Sequence, residues 1–366
     1  MKLIAQVKLQ PTAEQSKHLR DTMRRVNEAC NYISGVAWKS KVFGQYSLHK
    51  LVYRDVRNKF ELSAQLTVRA IAKVADAYKL DKQSKRTFKP FGAITFDDRI
   101  LSWKIDASIV SINTLGSRLK IPFVCGEKQR ELLKTRQGES DLILFRDNFY
   151  LSATCNVEEP ITSEGDEVLG IDMGVVNLAV DSDGKVYSSQ DVNRVRANRR
   201  DQRAQLQAAG TKSATRHLKK LSGKEKRFAK HTNHCISKAI VQTAQDTNRS
   251  IAVEDLTGIR TRTRFRKAQR STMASWSFFQ LRSFLEYKSK LAGVAFFAVD
   301  PRNTSRTCPA CGCIDKANRP SQSSFQCVDC GFSGLADHVA AINIRRKAIV
   351  NLPIVSTTGS GTSHPL

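Results

Sequence analysis

Apolar and polar residues alternate through MKLIAQVKL at the start of the chain, a period of two that predicts a half-buried strand. The strand runs into PTAEQ, where Thr12 can cap a helix while Gln15 reaches back as its third-position partner. From there to about residue 85 the period is helical, clearest in LTVRAIAKVADAYKL, where Val68, Ile71, Ala72, Ala75 and Tyr78 share one face. Between residues 86 and 160 the pattern shifts to short alternating runs such as AITF, SRLKIPF, LILFRD and FYLSATC, broken by Gly and Asp, which predicts an all-β segment. The first strand has no partner nearby, so it is expected to pair with this later sheet. Residues 1–10 and 86–160 would then form a β-barrel, with 11–85 as a helical insertion.

The polar break EEPITSEGDE separates this half from the next, in which VLGIDMGVVNLAVDSDGKVYS offers three strands with an Asp-Gly turn at Asp183 and Gly184. A basic, helix-compatible pair of segments follows, then an amphipathic helix with Ile236, Ile240, Val241 and Ala244 on one face and a strand, SIAVEDL. After the basic stretch RTRTRFRKAQR come a helix from about Trp276 to Leu291, a strand VAFFAVD, a cysteine-bearing segment and a last helix opening at Asp337. Alternating strands and helices predict an α/β core over 166–304 and 334–350, interrupted by 305–333. The tail 351–366, with STTGSGTSHPL, lacks apolar content and is expected to be disordered.

Charge adds what the periodicity cannot. The 366 residues include 60 Lys and Arg against 34 acids, a formal charge of +26, while 40% hydrophobic and 7% aromatic content exceeds that of a disordered chain. Such an excess repels itself unless a polyanion neutralises it, which points to nucleic acid or an anionic surface. Residues 194–230 concentrate it, with thirteen Lys or Arg and only Asp201 and Glu225 as acids. A charge run is commonly just a solvated face, but this imbalance exceeds what solvation requires. Arg196, Arg199, Arg200, Arg203, Lys219, Lys220, Arg262, Arg264 and Arg266 are therefore candidate nucleic-acid contacts. Phe228 and Phe265 could stack on bases, although packing is the commoner role for each. No apolar run approaches the roughly 18 residues of a membrane span, and the first residues are too polar for a signal peptide, so a cytoplasmic protein with no membrane partner is expected.

Four of the nine cysteines, Cys308, Cys311, Cys327 and Cys330, have the form C-x2-C-x15-C-x2-C, with Gly312 and Gly331 directly after each pair. That spacing predicts a closed, structural four-thiolate Zn²⁺ site. Cys30, Cys125, Cys155, Cys235 and Cys313 are scattered and read as ordinary thiols. Three acids stand out. Asp172 lies inside the apolar strand VLGIDMGV, where a charge is costly unless paired or bound to a cation, and Gly170 and Gly174 flank it, which would leave room for a bulky ligand. Glu254 ends the strand SIAV, at the kind of strand end where α/β sheets present functional side chains. Asp337 opens the last helix, where capping is an ordinary role. Singly each has such an ordinary role, in a turn, an ion pair or a cap; together they form an oxygen-rich set suited to Mg²⁺, and a basic chain that gathers acids at one point suits a metal held against a phosphate backbone.

The segments GIDMGVVNLAV, IAVEDL, TSRTCPACG with CVDCG, and ADHVAAINI, in that order and spacing, resemble the RuvC-type nuclease domain of the TnpB family, encoded by bacterial insertion sequences and related to the type V CRISPR effectors. More loosely, PTAEQ, RRVNEACNYI, ADAYK and the amino-terminal strands resemble its wedge and recognition regions. The resemblance implies an RNase H-like core with an inserted zinc ribbon, a wedge barrel over 1–10 and 86–160, and a recognition insertion over 11–85. It implies an RNA-guided DNA endonuclease in which Asp172, Glu254 and Asp337 bind two Mg²⁺ ions and are catalytic. Its partners would be a guide RNA from the transposon end and double-stranded target DNA bearing a short adjacent motif, with the basic segments 194–230 and 260–270 lining a heteroduplex channel. A monomer and a dimer on RNA both accord with it. The chain departs from many relatives at Leu335, where they have an acid, and at Val339, where they have Asn. Two other functions share these features: a guided DNA-binding repressor that does not cut, and an RNase H-like transposase acting on transposon ends without RNA.

Overall fold

The computed structural model describes residues 1–162, 165, 167–174, 176–255 and 278–350. The expected tail, the stretch containing Arg262, Arg264, Phe265 and Arg266, and the expected helix start at Trp276 lie outside the described residues. The chain divides into two compact units, Met1–Glu158 and Glu159–Leu366.

In the first unit β1 (Lys2–Leu9) buries alternate residues and hands over to α1 (Ala13–Ser40) through a full capping box between Thr12 and Gln15. Helices α2 (Gln45–Phe60) and α3 (Ala64–Leu80) follow. On α3 the buried stripe runs through Leu66, Ala70, Ile71, Val74, Ala75 and Tyr78, with Val68 at its half-buried edge. The remaining strands are β2 (Ile94–Phe96), β3 (Leu101–Lys104), β4 (Ile109–Asn113), β5 (Arg118–Val124), β6 (Arg136–Phe145) and β7 (Asn148–Asn156). A short helix, α4 (Glu127–Lys134), interrupts them where only strands were expected; it buries little beyond Leu133, so its apolar signal is weak.

The antiparallel order is β2-β6-β7-β1-β5-β4-β3, with β1 paired to β7 and β5 as its isolation implied. β2 and β3 stand at opposite ends of that order, yet Phe96 and Leu101 are joined by a short turn. Six inter-strand gaps would span about 29 Å if flat, whereas five residues reach about 18 Å at most. The sheet must therefore curl on itself.

The second unit has the strand order β10-β9-β8-β11-β12. β8 (Glu167–Asp172), β9 (Asn177–Asp181) and β10 (Val186–Ser188) form the meander. Asp181 anchors the turn after β9, its Oδ1 accepting from the backbone N–H groups of Asp183 and Lys185, while Gly184 takes a φ of +89°. β11 (Arg249–Glu254) pairs parallel with both β8 and β12 (Phe296–Val299). Successive residues of β8 and β11 serve opposite faces. Leu169, Ile171, Ile251 and Val253 pack under Ile236, Ile240 and Ala244 of α6 (Lys212–Asp246) and Leu281 and Leu285 of α7 (Phe278–Ala292). Val168 and Ala252 face Ile344 and Ala348 of α8 (Ala336–Val350). A sheet covered on both faces explains why these strands read as continuous apolar runs. Helix α5 (Gln190–Ala209) precedes α6 and buries only Val192. Between β12 and α8 lies the cysteine segment, with β13 (Ser324–Gln326) and β14 (Ser333–Leu335) paired antiparallel.

Gly170 corrects one expectation. The space beside it belongs to α8, not to a ligand: a Cβ there would collide with the Ala341 carbonyl oxygen and lie 2.6 Å from the Arg345 amide nitrogen. Backbone meets backbone, so neither side can yield by a rotamer change. Gly170→Ala is expected to lower stability by about 3 kcal/mol, at the upper end of overpacking costs, read by denaturant unfolding; an unchanged midpoint would contradict the close approach.

Candidate metal centres

Asp172 is the last residue of β8 and Glu254 the last of β11. The two strands are parallel neighbours with Val253 opposite Ile171, so both carboxylates emerge from the same end of the sheet at adjacent ladder positions. Asp337 is the second residue of α8 rather than its cap, and α8 packs across β8 through the contact at Gly170. Each acid is half-buried.

Electrostatics ties the three together. Burial raises the Asp172 pKa to about 8, helped by the negative charges of Glu254 and Asp337 and opposed by Arg319. Burial also raises the pKa of Glu254, while a hydrogen bond from the Thr304 hydroxyl pulls it back. Asn177 on β9 donates from Nδ2 to Asp337 Oδ2 at 2.9 Å, and Arg319 Nη2 lies 3.7 Å from Asp337 Oδ1. Gly174 leaves space here, since a Cβ would stand 2.9 Å from the Asn177 carbonyl oxygen. Like charges held at partly desolvated positions are the donor set a divalent cation neutralises.

The cysteines form a second centre. Cys308 and Cys330 sulfurs are 3.6 Å apart, and Cys311 and Cys327 sulfurs 3.5 Å. A Zn–S bond of about 2.3 Å gives tetrahedral edges of about 3.8 Å, whereas a disulfide would need about 2.05 Å, so the donors fit zinc and not a crosslink. Backbone N–H groups reach the sulfurs: Ala310 donates to Cys308 Sγ at 3.4 Å, and those of Cys330 and Asp329 hold the Cys327 thiol below its ordinary value, while Cys311 and Cys330, sharing protons with their neighbours, are raised. Among the described residues these cysteines are the one group of ligating side chains whose donor atoms all lie within 4.8 Å of one another; the three carboxylates are spread more widely.

A small core joins the cysteines to the acid. Cys308, Cys327 and Phe325 pack with Ala336 and Val339, one residue before and two residues after Asp337 along α8. Val339 is thus 1% exposed in this core, and Leu335 is 62% exposed; Asn177, not either of those positions, holds Asp337. Asn343 adds a pin, donating to the carbonyls of Thr304 and Thr307 at 2.8 and 2.7 Å.

Asn177, Thr304, Arg319 and Asn343 escaped the sequence reading, because each meets its partner across a fold contact with no local spacing to announce it. Among the basic residues singled out, Lys219, Lys220 and Arg200 are exposed, Arg200 beside Asp201. Arg203 pairs with Glu225 of α6, and Arg199 lies over the Phe228 ring at 5.7 Å. Arg196 is half-buried on α5. Phe228 packs at the edge of the core, the commoner of its two roles.

The sequence model of the family described as a probable transposase matches residues 152–260, and that of the Cas12f1-like TNB domain matches residues 278–344. A TnpB-like protein of Methanocaldococcus jannaschii is 36% identical over 132 residues, 36% of this chain and 47% of that protein. Over these stretches the chain is similar to TnpB proteins. Its similarity extends to a Micrarchaeota archaeon protein named CRISPR-associated endodeoxyribonuclease Cas12f2, 31% identical over 228 residues, 57% of this chain and 42% of that one. The matched stretch therefore spans less than half the length of either relative. The fold is shared more widely. The Cas12f1 chain of a Cas12f1-sgRNA-target DNA complex aligns over 91% of this chain and 83% of its own with a TM-score of 0.62 at 17% identity. A mini-RNA-guided endonuclease, CRISPR-Cas_phi3, aligns over 96% of this chain and 93% of its own with a TM-score of 0.58 at 12% identity.

Both centres lead to measurable outcomes. With Asp172 raised to about 8 from an unfolded value of about 3.9, the folded protein binds the extra proton across that window, so metal-free stability falls as pH rises from about 4 to about 8. Asp172→Asn should flatten that slope and raise metal-free stability at pH 8 by a few kcal/mol, read by denaturant unfolding at several pH values; a slope equal to wild type would refute the assignment. Separately, Cys308→Ser or zinc chelation should lower the melting transition of the second unit by on the order of 10 °C. Unchanged melting would exclude a structural zinc site.

Proposed function

We propose that this chain is an RNA-guided DNA endonuclease that hydrolyses phosphodiesters of target DNA, with Asp172, Glu254 and Asp337 holding Mg²⁺ in an RNase H-like core. One observation carries the reading: acids from two strand ends and a helix start are close enough for Glu254 and Asp337 both to raise the Asp172 pKa, in a chain of net charge +26. The reading is supported by the relatives, one named an endodeoxyribonuclease and one solved in a complex with guide RNA and target DNA. Divalent ions at the acids would supply charge stabilisation at the phosphoryl oxygens and a hydroxide nucleophile near neutral pH. The three carboxylates would serve a pair of such ions as oxygen donors.

The chain's own residues set the stage for that chemistry. The Thr304 hydroxyl fixes the orientation of Glu254, and the Asn177 amide fixes Asp337 through one oxygen while the other faces Arg319. Below pH 8 Asp172 gives up a proton when a cation arrives, so cation affinity should rise with pH. Zinc at Cys308, Cys311, Cys327 and Cys330 is structural in this reading, because four thiolates leave no open position. Residues 305–333 then serve as the zinc ribbon, 1–10 and 86–160 as the wedge, and 11–85 as the recognition insertion. The exposed basic residues of α5 and α6 would grip a guide–target heteroduplex by its backbone, with the guide RNA drawn from the transposon end and a short motif read beside the target.

The test is to express the protein with its native flanking DNA. RNA should copurify and be lost on a high-salt wash, and the complex should cleave DNA matching that RNA in Mg²⁺. Asp172→Ala should cut at least about 10³-fold more slowly while keeping its RNA. If it cuts as fast as wild type, the acids are not the site.

A further inference from the structure

Away from both centres, α6 carries another pair of ligating side chains. The run KHTNHC, residues 230–235, sets His231 and Cys235 one helical turn apart, so both project from the same side of the helix. Both are exposed, and Cys235 Sγ stands 3.7 Å from His231 Nε2. A surface hydrogen bond between thiol and imidazole competes with water and contributes little by itself. The same separation has a second meaning. A Zn–S bond of about 2.3 Å and a Zn–N bond of about 2.05 Å, meeting at the tetrahedral angle, place sulfur and nitrogen about 3.6 Å apart. The two donors already stand along one edge of that tetrahedron.

The helix holds the edge in place. Ser237 Oγ donates to the Asn233 carbonyl at 2.6 Å, and Lys288 Nζ of α7 donates to the His234 carbonyl at 2.7 Å, so the backbone between the two ligands is tied down. Side-chain rotation is then all that a metal has to order. His234, the other imidazole of the run, is turned aside, its ring stacked on Phe284 with centroids 4.0 Å apart. The pair therefore supplies one nitrogen and one sulfur. That mixture suits borderline ions such as Zn²⁺ and Co²⁺ and not the hard Mg²⁺, which takes oxygen. Arg227 and Lys238, exposed one turn before and one turn after the pair, repel a dication. Two ligands in such a field call for micromolar affinity, below that of a closed four-thiolate centre.

We propose that His231 and Cys235 form an exchangeable transition-metal site, which takes a borderline divalent ion through Nε2 and Sγ with water in the remaining positions. The site is separate from the four cysteines and the three carboxylates, and it stands whether or not the chain is a nuclease. It lies where α6 passes from its basic half, residues 212–230, to Ile236, Ile240 and Ala244 packed on the sheet. A bound ion closes a ring across that turn, so occupancy stiffens the junction between the charged and the packed halves of one helix.

Cobalt tests the site through its colour. The full chain, with zinc on its four cysteines and Mg²⁺ in excess at the acids, is titrated with Co²⁺, which binds less tightly than Zn²⁺ and leaves the four cysteines undisturbed. A cobalt–thiolate charge-transfer band, which only a sulfur ligand gives, should grow in and saturate at one equivalent. Cys235→Ser should abolish the band. His231→Ala should weaken cobalt binding at least about tenfold, because a thiol alone loses the effective concentration of its chelate partner. Both side chains are exposed, and melting curves verify that each variant is folded. The proposal is overturned if no band forms, if the band survives in Cys235→Ser, or if His231→Ala binds cobalt as tightly as wild type.

Discussion

The acid centre depends on one backbone contact, the approach of α8 to β8 at Gly170, where any side chain would strike the Ala341 carbonyl. That contact sets how closely the first turn of α8 can come to the end of β8, and so how near Asp337 lies to Asp172. The parallel ladder between β8 and β11 fixes the other pair, since Val253 opposite Ile171 leaves Asp172 and Glu254 as neighbours at the strand ends. Neither constraint involves the acids themselves. The cluster is imposed on them by packing, which is why it can exist with only partial balance from Arg319 and Lys347.

Imposed proximity has a cost. Carboxylates at partly desolvated positions repel, and the chain answers with few cations at the centre: Arg319 acts on Asp172 and Glu254, and Lys347 on Glu254. Among the described residues, much of the positive charge lies along α5 and α6. A protein selecting for stability alone would place some of those lysines among the acids. An under-neutralised acid centre is the arrangement an external cation would relieve, and an excess of positive charge on α5 and α6 is the arrangement an external anion would relieve. The cysteine segment serves the same end by mechanical means, since Cys308, Cys327 and Phe325 clamp Ala336 and Val339 around Asp337 against the repulsion.

What could be read from the chain follows the range of the interaction that carries it. The capping box at Thr12 and Gln15, the Asp-Gly turn and the C-x2-C pairs are signals within a few residues, and each was legible. Asp172 and Glu254 were legible as acids at the ends of apolar strands. Asn177 meeting Asp337 across 160 positions and Thr304 meeting Glu254 across 50 leave no trace in local spacing. Gly170 was noticed for the right reason, absence of a side chain, and assigned to the wrong neighbour, because a sequence does not say whether a helix or a ligand fills the space. α4 was missed because a helix that buries little beyond one leucine has almost no amphipathic signature.

The basic hairpin shows how a charge run divides once it is folded. Arg203 is paired with Glu225 and Arg199 covers Phe228, so both act between α5 and α6. α5 buries only Val192, which is too little apolar surface to hold a helix of this length in place. Those two arginines add links from α5 to α6, and their charge is partly spent within the protein. Lys219 and Lys220 stand exposed, where their charge would be available to a polyanion. Thirteen cations in sequence thus overstate the counter-ions a nucleic acid would release on this face, and the excess over that number measures how much of the run is structural.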